Sequence, residues 1–180
     1  TLVNVTIADC TASAPGGGNA YGGAVYTRSE NATLVGGTIT NCTSFTAGNG
    51  HAGGGAVFGE ESHVALQNVG LADCSASAVG DGECTGGALR NSYGSWTLTN
   101  VQISDCTVST TGSGYAAGGA VYVIGDAAGG GDALDSADLT LVDVVVARCT
   151  ASTAGLGHAN GGAMYIFSSS KATLIDTTIT

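Results

Sequence analysis

The chain predicts an all-β fold, a parallel β-solenoid of about five rungs of 32 residues, and three observations predict it. Gly-Gly-Ala recurs at Gly22, Gly54, Gly86, Gly118 and Gly161, so the motif advances by 32, 32, 32 and 43 residues. Cys10, Cys42, Cys74, Cys106 and Cys149 advance by the same steps, each 12 residues ahead of its Gly-Gly-Ala. Apolar residues alternate locally and are mostly β-branched, as in Val5 and Ile7 or Val101 and Ile103, which is the period of a strand. Self-similarity at a fixed period means units that bury their apolar faces by stacking.

The long step has one cause. From the motif alanine to the next aligned leucine the gap is 10 in the first three units and 21 from Ala120 to Leu141, an insertion of 11 residues around Ile124 to Leu134 in the fourth rung. One further residue among Ser168 to Lys171 makes the last gap, Ala163 to Leu174, equal to 11.

Within the first unit the strands are expected at Thr1 to Val3, Val5 to Ala8 and Cys10 to Ala12. The Gly-Gly-Ala-Val-Tyr segment then returns the chain and can merge with the next Thr-Leu strand. Leu2 and Ile7 head uniformly apolar columns but lie an odd number of positions apart, so one straight strand would point them to opposite faces. A bend is therefore expected at Asn4, Gly36, Asn68, Asn100, Asp143 and Asp176, residue types that tolerate a left-handed backbone. A second bend fits Asp9, Asn41, Asp73, Asp105 and Arg148, where Asx side chains can bond the local backbone. Stacked in parallel at ~4.8 Å, the rungs would put four columns inside: that of Leu2, Leu34, Leu66, Leu98, Leu141 and Leu174, that of Ile7, that of Val25, and the cysteines.

Gly-Gly-Ala followed by Val, Val, Leu, Val or Met resembles the GGA[ILV] motif of polymorphic outer-membrane proteins and related pectin-lyase-like β-helix repeats. The resemblance covers the whole chain; the companion FxxN motif is replaced by Ile7-Ala8-Asp9-Cys10, Ile39-Thr40-Asn41-Cys42 and their equivalents. It implies a right-handed parallel β-helix serving as an extracellular or cell-surface adhesin or fibre.

Composition narrows the function classes. The length, 180 residues, suits a single domain over 1–180, and with no polar cap apparent at either end it reads as an excerpt of a longer array. A formal charge of -10 opposes a phosphate backbone, so nucleic acid is not an expected partner. With 43% hydrophobic and 10% charged residues the chain carries too much apolar surface to remain disordered. No apolar run reaches the ~18 residues of a membrane span.

No cofactor or metal is expected. The cysteine column allows two readings: stacked thiols acting as small apolar fillers, or rung-to-rung disulfides, since Cα atoms ~4.8 Å apart fall in the bridging range. Cys84 replaces an alanine in a separate small-residue column and reads as a further filler. Tyr26, Phe58, Arg90, Tyr122 and Tyr165 follow the inward valine column, so alternation turns them outward as an aromatic ladder for lateral or glycan contacts, with Arg90 able to stack between Phe58 and Tyr122. Asp73 and Asp105 on neighbouring rungs are the one enzyme-like pair, testable as two carboxylates of a polysaccharide-cleaving enzyme. Turn-stabilising Asx residues are the plainer account. His51 and His158 share a loop column three rungs apart, too far for one metal, and His63 stands alone. Sequons at Asn4, Asn31 and Asn41 permit N-glycosylation. Threonine columns led by Thr1 and Thr11 invite an ice-binding alternative, but they lie on different strands. The acidic, Gly-rich insertion reads as an outward loop. Regular columns without converging reactive groups favour a structural or adhesive solenoid whose partners are other copies, neighbouring fibre proteins or glycans.

Overall fold

The computed structural model describes residues 1–125 and 136–180. The predicted insertion, apart from Ile124 and Gly125, lies outside the described residues, as do Asp126, Asp132 and Asp135. Among the described residues there is no helix; the chain winds as a parallel β-solenoid, and every strand pairs in parallel with its counterpart one rung away. The register is the one the repeat predicts: Leu34 lies opposite Leu66, Ile39 opposite Leu71, Val57 opposite Leu89 and Val121 opposite Met164. Across the insertion the register holds, with Leu98 opposite Leu141.

The third, fourth and fifth rungs each have five short strands, and the first two have four. In the third they are His63–Gln67, Gly70–Ala72, Ser75–Ala78, Cys84–Thr85 and Leu89–Ser92. The first two faces belong to one ten-stranded sheet, because Leu2–Ala8 and Asn31–Thr40 run through the corner between them; the other three faces are five-stranded sheets. The expected three strands per unit are thus corrected in two ways. Thr11–Ala14 starts after Cys10 because the cysteine occupies the corner, and Ala20–Tyr21 and Val25–Arg28 are separate strands. The last does not merge with its successor, since Ser29, Glu61, Tyr93 and Ser168 turn the chain with positive φ.

The two predicted bends are present at every rung. Asn4, Gly36, Asn68, Asn100, Asp143 and Asp176 have φ between 49° and 70°, and Asp9, Asn41, Asp73, Asp105 and Arg148 between 52° and 58°. Side chains at these corners bond from rung to rung: the Asn100 amide donates to Asn68 Oδ1 at 2.7 Å, and the Asn41 amide to Asp9 Oδ1 at 2.6 Å. A third bend is made by the first glycine of each Gly-Gly-Ala, with φ between 58° and 65° from Gly22 to Gly161.

The second glycine explains the motif. A Cβ on Gly55 would strike the Gly87 carbonyl and the Ser75 backbone, and one on Gly87 the Gly119 carbonyl and, at 2.7 Å, the Thr107 carbonyl. Two walls of the coil meet there backbone to backbone, and the interior divides. The larger core holds Leu66, Leu71, Leu89, Leu98, Ile103, Trp96, Leu139, Leu141 and the cysteine column; the smaller holds Ala52, Ala76, Ala78, Cys84, Val108 and Ala116. In the first and last rungs the same columns are open, with Leu2 and Leu174 exposed.

Candidate functional site

The bend at the Gly22 column folds the Ala20–Tyr21 face toward the Val25–Arg28 face, so the outer surface is concave along this corner. The aromatic ladder lies in that groove. Its side chains leave the coil on the outer face, as alternation requires, but Phe58 and Tyr122 are 3% and 6% exposed, a correction to the fully outward ladder. The cover comes from the neighbouring face. Tyr21 stacks on Phe58 with ring centroids 4.4 Å apart, and Tyr115 meets Tyr165 edge-on at 6.0 Å.

Arg90 sits mid-ladder. Its guanidinium carbon is 4.9 Å from the Phe58 ring centre, 5.4 Å from that of Tyr122 and 5.6 Å from that of Tyr21, a sandwich of three aromatic faces around one cation. Two hydroxyls fix its orientation: Nη1 donates to Thr85 Oγ1 at 2.8 Å and Nε to Ser92 Oγ at 3.2 Å. Gly53 makes room for the stem, since a Cβ there would fall 2.8 Å from Arg90 Cδ. At one end of the groove Tyr26 donates to Glu60 at 2.8 Å. At the other, Glu83, Tyr115, Tyr122, Ile124, Tyr165 and Phe167 line a recess of about 330 Å³. Burial pushes the Tyr122 phenol up to about 12 and also raises those of Tyr21 and Tyr115. The phenols are therefore neutral hydrogen-bonding groups at any physiological pH.

The five column cysteines and Cys84 are all free thiols. Cys42, Cys74 and Cys106 are fully buried and Cys10 and Cys149 half-buried. Each column thiol donates to the carbonyl two residues before it in its own rung, at 3.1 to 3.4 Å from Ala8 to Ala147. One rotamer therefore repeats five times. The Cys106 thiol beside Cys149 draws the Cys149 thiol down to about 7, whereas burial pushes Cys42 up to about 11 and Cys84 up to about 12. We expect iodoacetamide to modify Cys149 first, at a rate that rises with pH and is half-maximal near 7, the fraction of thiolate setting the rate. Cys84 is expected to stay unmodified until the chain unfolds. Peptide mapping of partly alkylated protein between pH 5 and 9 checks both; labelling of Cys84 before Cys149 would contradict them.

No protein-family model, curated protein or solved structure matches the chain. The sites therefore rest on their own geometry. Asp73 and Asp105 do fall on successive rungs of the second corner, but Arg148 engages both oxygens of Asp105, Nε to Oδ1 at 2.7 Å and Nη2 to Oδ2 at 2.6 Å. That clamp holds the Asp105 carboxyl below its usual range, so it has no proton to donate near neutral pH. His51 lies 3.1 Å from Glu83, His158 pairs with Tyr115 in the ladder register, and His63 is exposed beside Asn31; among the described residues no three His, Cys, Asp or Glu converge. Asn4 and Asn41 are exposed at corners and Asn31 is exposed at the start of a strand. No helix among the described residues is long and apolar enough to cross a membrane.

Four groove residues escape a column-by-column reading: Tyr21, Tyr115, Glu83 and Phe167. Tyr21 aligns with Gly53, Thr85, Ala117 and Asn160, a column with no other aromatic. The available signal was adjacency across the glycine bend, because Tyr21 immediately precedes Gly22 and so faces the ladder once the bend is known.

Proposed function

We propose that the chain is a segment of an extracellular, cell-surface fibre or filament, in which the solenoid supplies span and stiffness and the aromatic groove makes lateral contacts with other copies, neighbouring fibre proteins or glycans. The observation that carries this reading is the repetition of side chains along the coil axis. The surface is organised as longitudinal stripes, and the aromatic stripe is open to solvent at its two ends, with Tyr26 and Phe167 each more than two-fifths exposed. A stripe suits contact with another elongated object, because every rung adds the same kind of contact. The resemblance of the Gly-Gly-Ala repeat to surface β-helix adhesins points the same way, and the sequons suit a secreted surface.

Binding to immobilised glycans, together with sedimentation of the chain alone, tests the reading. Wild-type protein is expected to bind a glycan or to self-associate. A Tyr165→Ala/Phe167→Ala double variant that keeps its β-sheet signal is expected to lose that interaction about tenfold or more, as truncation of central aromatic anchors does. Cleavage of a polysaccharide panel that disappears in Asp105→Asn, or thermal hysteresis of ice growth, would overturn it.

A further inference from the structure

The thiol column has a geometry that neither packing nor disulfide formation uses. Successive cysteines are related by one rung, as the hydrogen bonds from Thr43, Ser75, Thr107 and Thr150 N–H to the carbonyls of Cys10, Cys42, Cys74 and Cys106 show. With one rotamer on every rung, neighbouring sulfurs and neighbouring Cβ atoms are both separated by about the ~4.8 Å rung spacing. A disulfide needs Cβ atoms about 3.5 to 4.5 Å apart and sulfurs about 2.05 Å apart, so bridging would require the rungs to tilt and the thiols to leave their rotamer. A zinc–thiolate bond is about 2.3 Å long; two metal–sulfur bonds of about that length laid end to end span about 4.6 Å, close to the ~4.8 Å rung spacing.

We propose that neighbouring column thiols bind monovalent soft metal ions, Cu(I) or Ag(I), in linear two-coordinate S–M–S sites inside the solenoid. Thiolate sulfur selects such ions over harder ones. The column runs in a line, and among the described residues no three His, Cys, Asp or Glu converge on one point, which leaves a four-coordinate zinc site without its ligands. Each thiol repeats the same contact with the carbonyl two residues before it, and Cys74 Sγ also lies 3.8 Å from the Ile39 carbonyl of the preceding rung, so the sulfurs follow one another along the stacking axis. One sulfur holding an ion on each side would have to be straight, so ions occupy separate pairs.

Loading forms two metal–sulfur bonds per ion and breaks two S–H bonds, releasing two protons to solvent; the metal stays monovalent, the two thiols become thiolates, the loaded pair carries one net negative charge, and no electron moves. The carbonyls that lose a thiol donor are not orphaned. Thr40, Ala72, Ser104 and Ala147 oxygens already accept the backbone N–H of Asp9, Asn41, Asp73 and Asp105 at 3.0 to 3.1 Å. The half-buried Cys10 and Cys149 are where ions enter the column.

Pairing of five thiols in a line gives a parity rule that a loose collection of cysteines does not obey. Wild-type chain binds two ions, with one thiol left over. Removing Cys74 leaves Cys10 with Cys42 and Cys106 with Cys149, so Cys74→Ala still binds two. Removing Cys42 or Cys106 leaves three adjacent thiols and one isolated, so Cys42→Ala and Cys106→Ala bind one. Cys84→Ala binds two. The test is titration of reduced protein with silver nitrate in chloride-free buffer, followed by native mass spectrometry, with X-ray absorption for the sulfur coordination number and far-ultraviolet circular dichroism to confirm folding before and after. Counts of two, two, one, one and two with a two-sulfur shell support the proposal. Equal loss in Cys74→Ala and Cys106→Ala, three or four sulfurs per ion, binding only with loss of sheet signal, or no binding to the folded chain overturns it.

Discussion

Gly55→Ala is expected to destabilise the chain by about 3 kcal/mol or more, the upper range for forcing extra volume into a packed interior, read as a lowered urea midpoint with the folded-state spectrum retained. The added methyl would overlap the Gly87 carbonyl and sit 2.5 Å from both Ser75 N and Ser75 O, all backbone atoms held in ladders that cannot yield singly. The same contact recurs at Gly23, Gly87 and Gly119, so relief at one rung displaces the next. A control isolates close approach from the general effect of glycine replacement. The Gly70 Cβ position meets only a Thr38 methyl carbon at 3.4 Å, and Gly70 is not among the residues with positive φ. Gly70→Ala should therefore be neutral or stabilising by about 0.4–1 kcal/mol through the unfolded chain. Equal losses at both positions would show that the pinch between the walls is not what the motif provides.

That pinch also separates what could be read in the amino-acid order from what could not. Stacking, register and the two Asx corners were legible because they depend on one residue type recurring in one column: an Asn or Asp that tolerates a left-handed backbone marks a corner wherever it repeats. The corner at Ser29, Glu61, Tyr93 and Ser168 was not. Its residues share no intrinsic preference for positive φ, and the ladder bonds on either side impose the conformation on them. The inward columns were correct for Leu66, Leu98, Ile103 and Val57, all buried, but nothing in the columns said that the interior is two cores. That division depends on contact between residues about twenty positions and one rung apart, Gly55 and Ser75, and such pairs leave no periodic trace. The aromatic groove was half legible for a related reason. The ladder is one column, while its cover comes from another column in which Tyr21 stands alone.

Trp96→Ala is expected to cost about 3–5 kcal/mol, the range for removing a buried large aromatic, and to lower Tm by roughly 10 °C for a chain of this size. Trp96 is 1% exposed and occupies a column otherwise made of Ala32, Val64, Leu139 and Ala172, so it overfills its own rung. The excess volume is taken from the adjacent column. Gly59 stands where neighbouring rungs carry Thr27, Asn91, Val123 and Ile166, and a Cβ on Gly59 would be 2.6 Å from Trp96 Cζ2. The two positions should therefore be coupled. Gly59→Val alone is expected to destabilise by about 1–3 kcal/mol through overpacking, whereas in the background of Trp96→Val the valine fills space the indole has vacated and the penalty should shrink or reverse. A double-mutant cycle by urea unfolding measures this directly, with a coupling energy of about 0.5–3 kcal/mol expected for side chains in contact. Strict additivity would mean that the indole does not use the Gly59 space, and the larger core would then be filled rung by rung instead of across rungs.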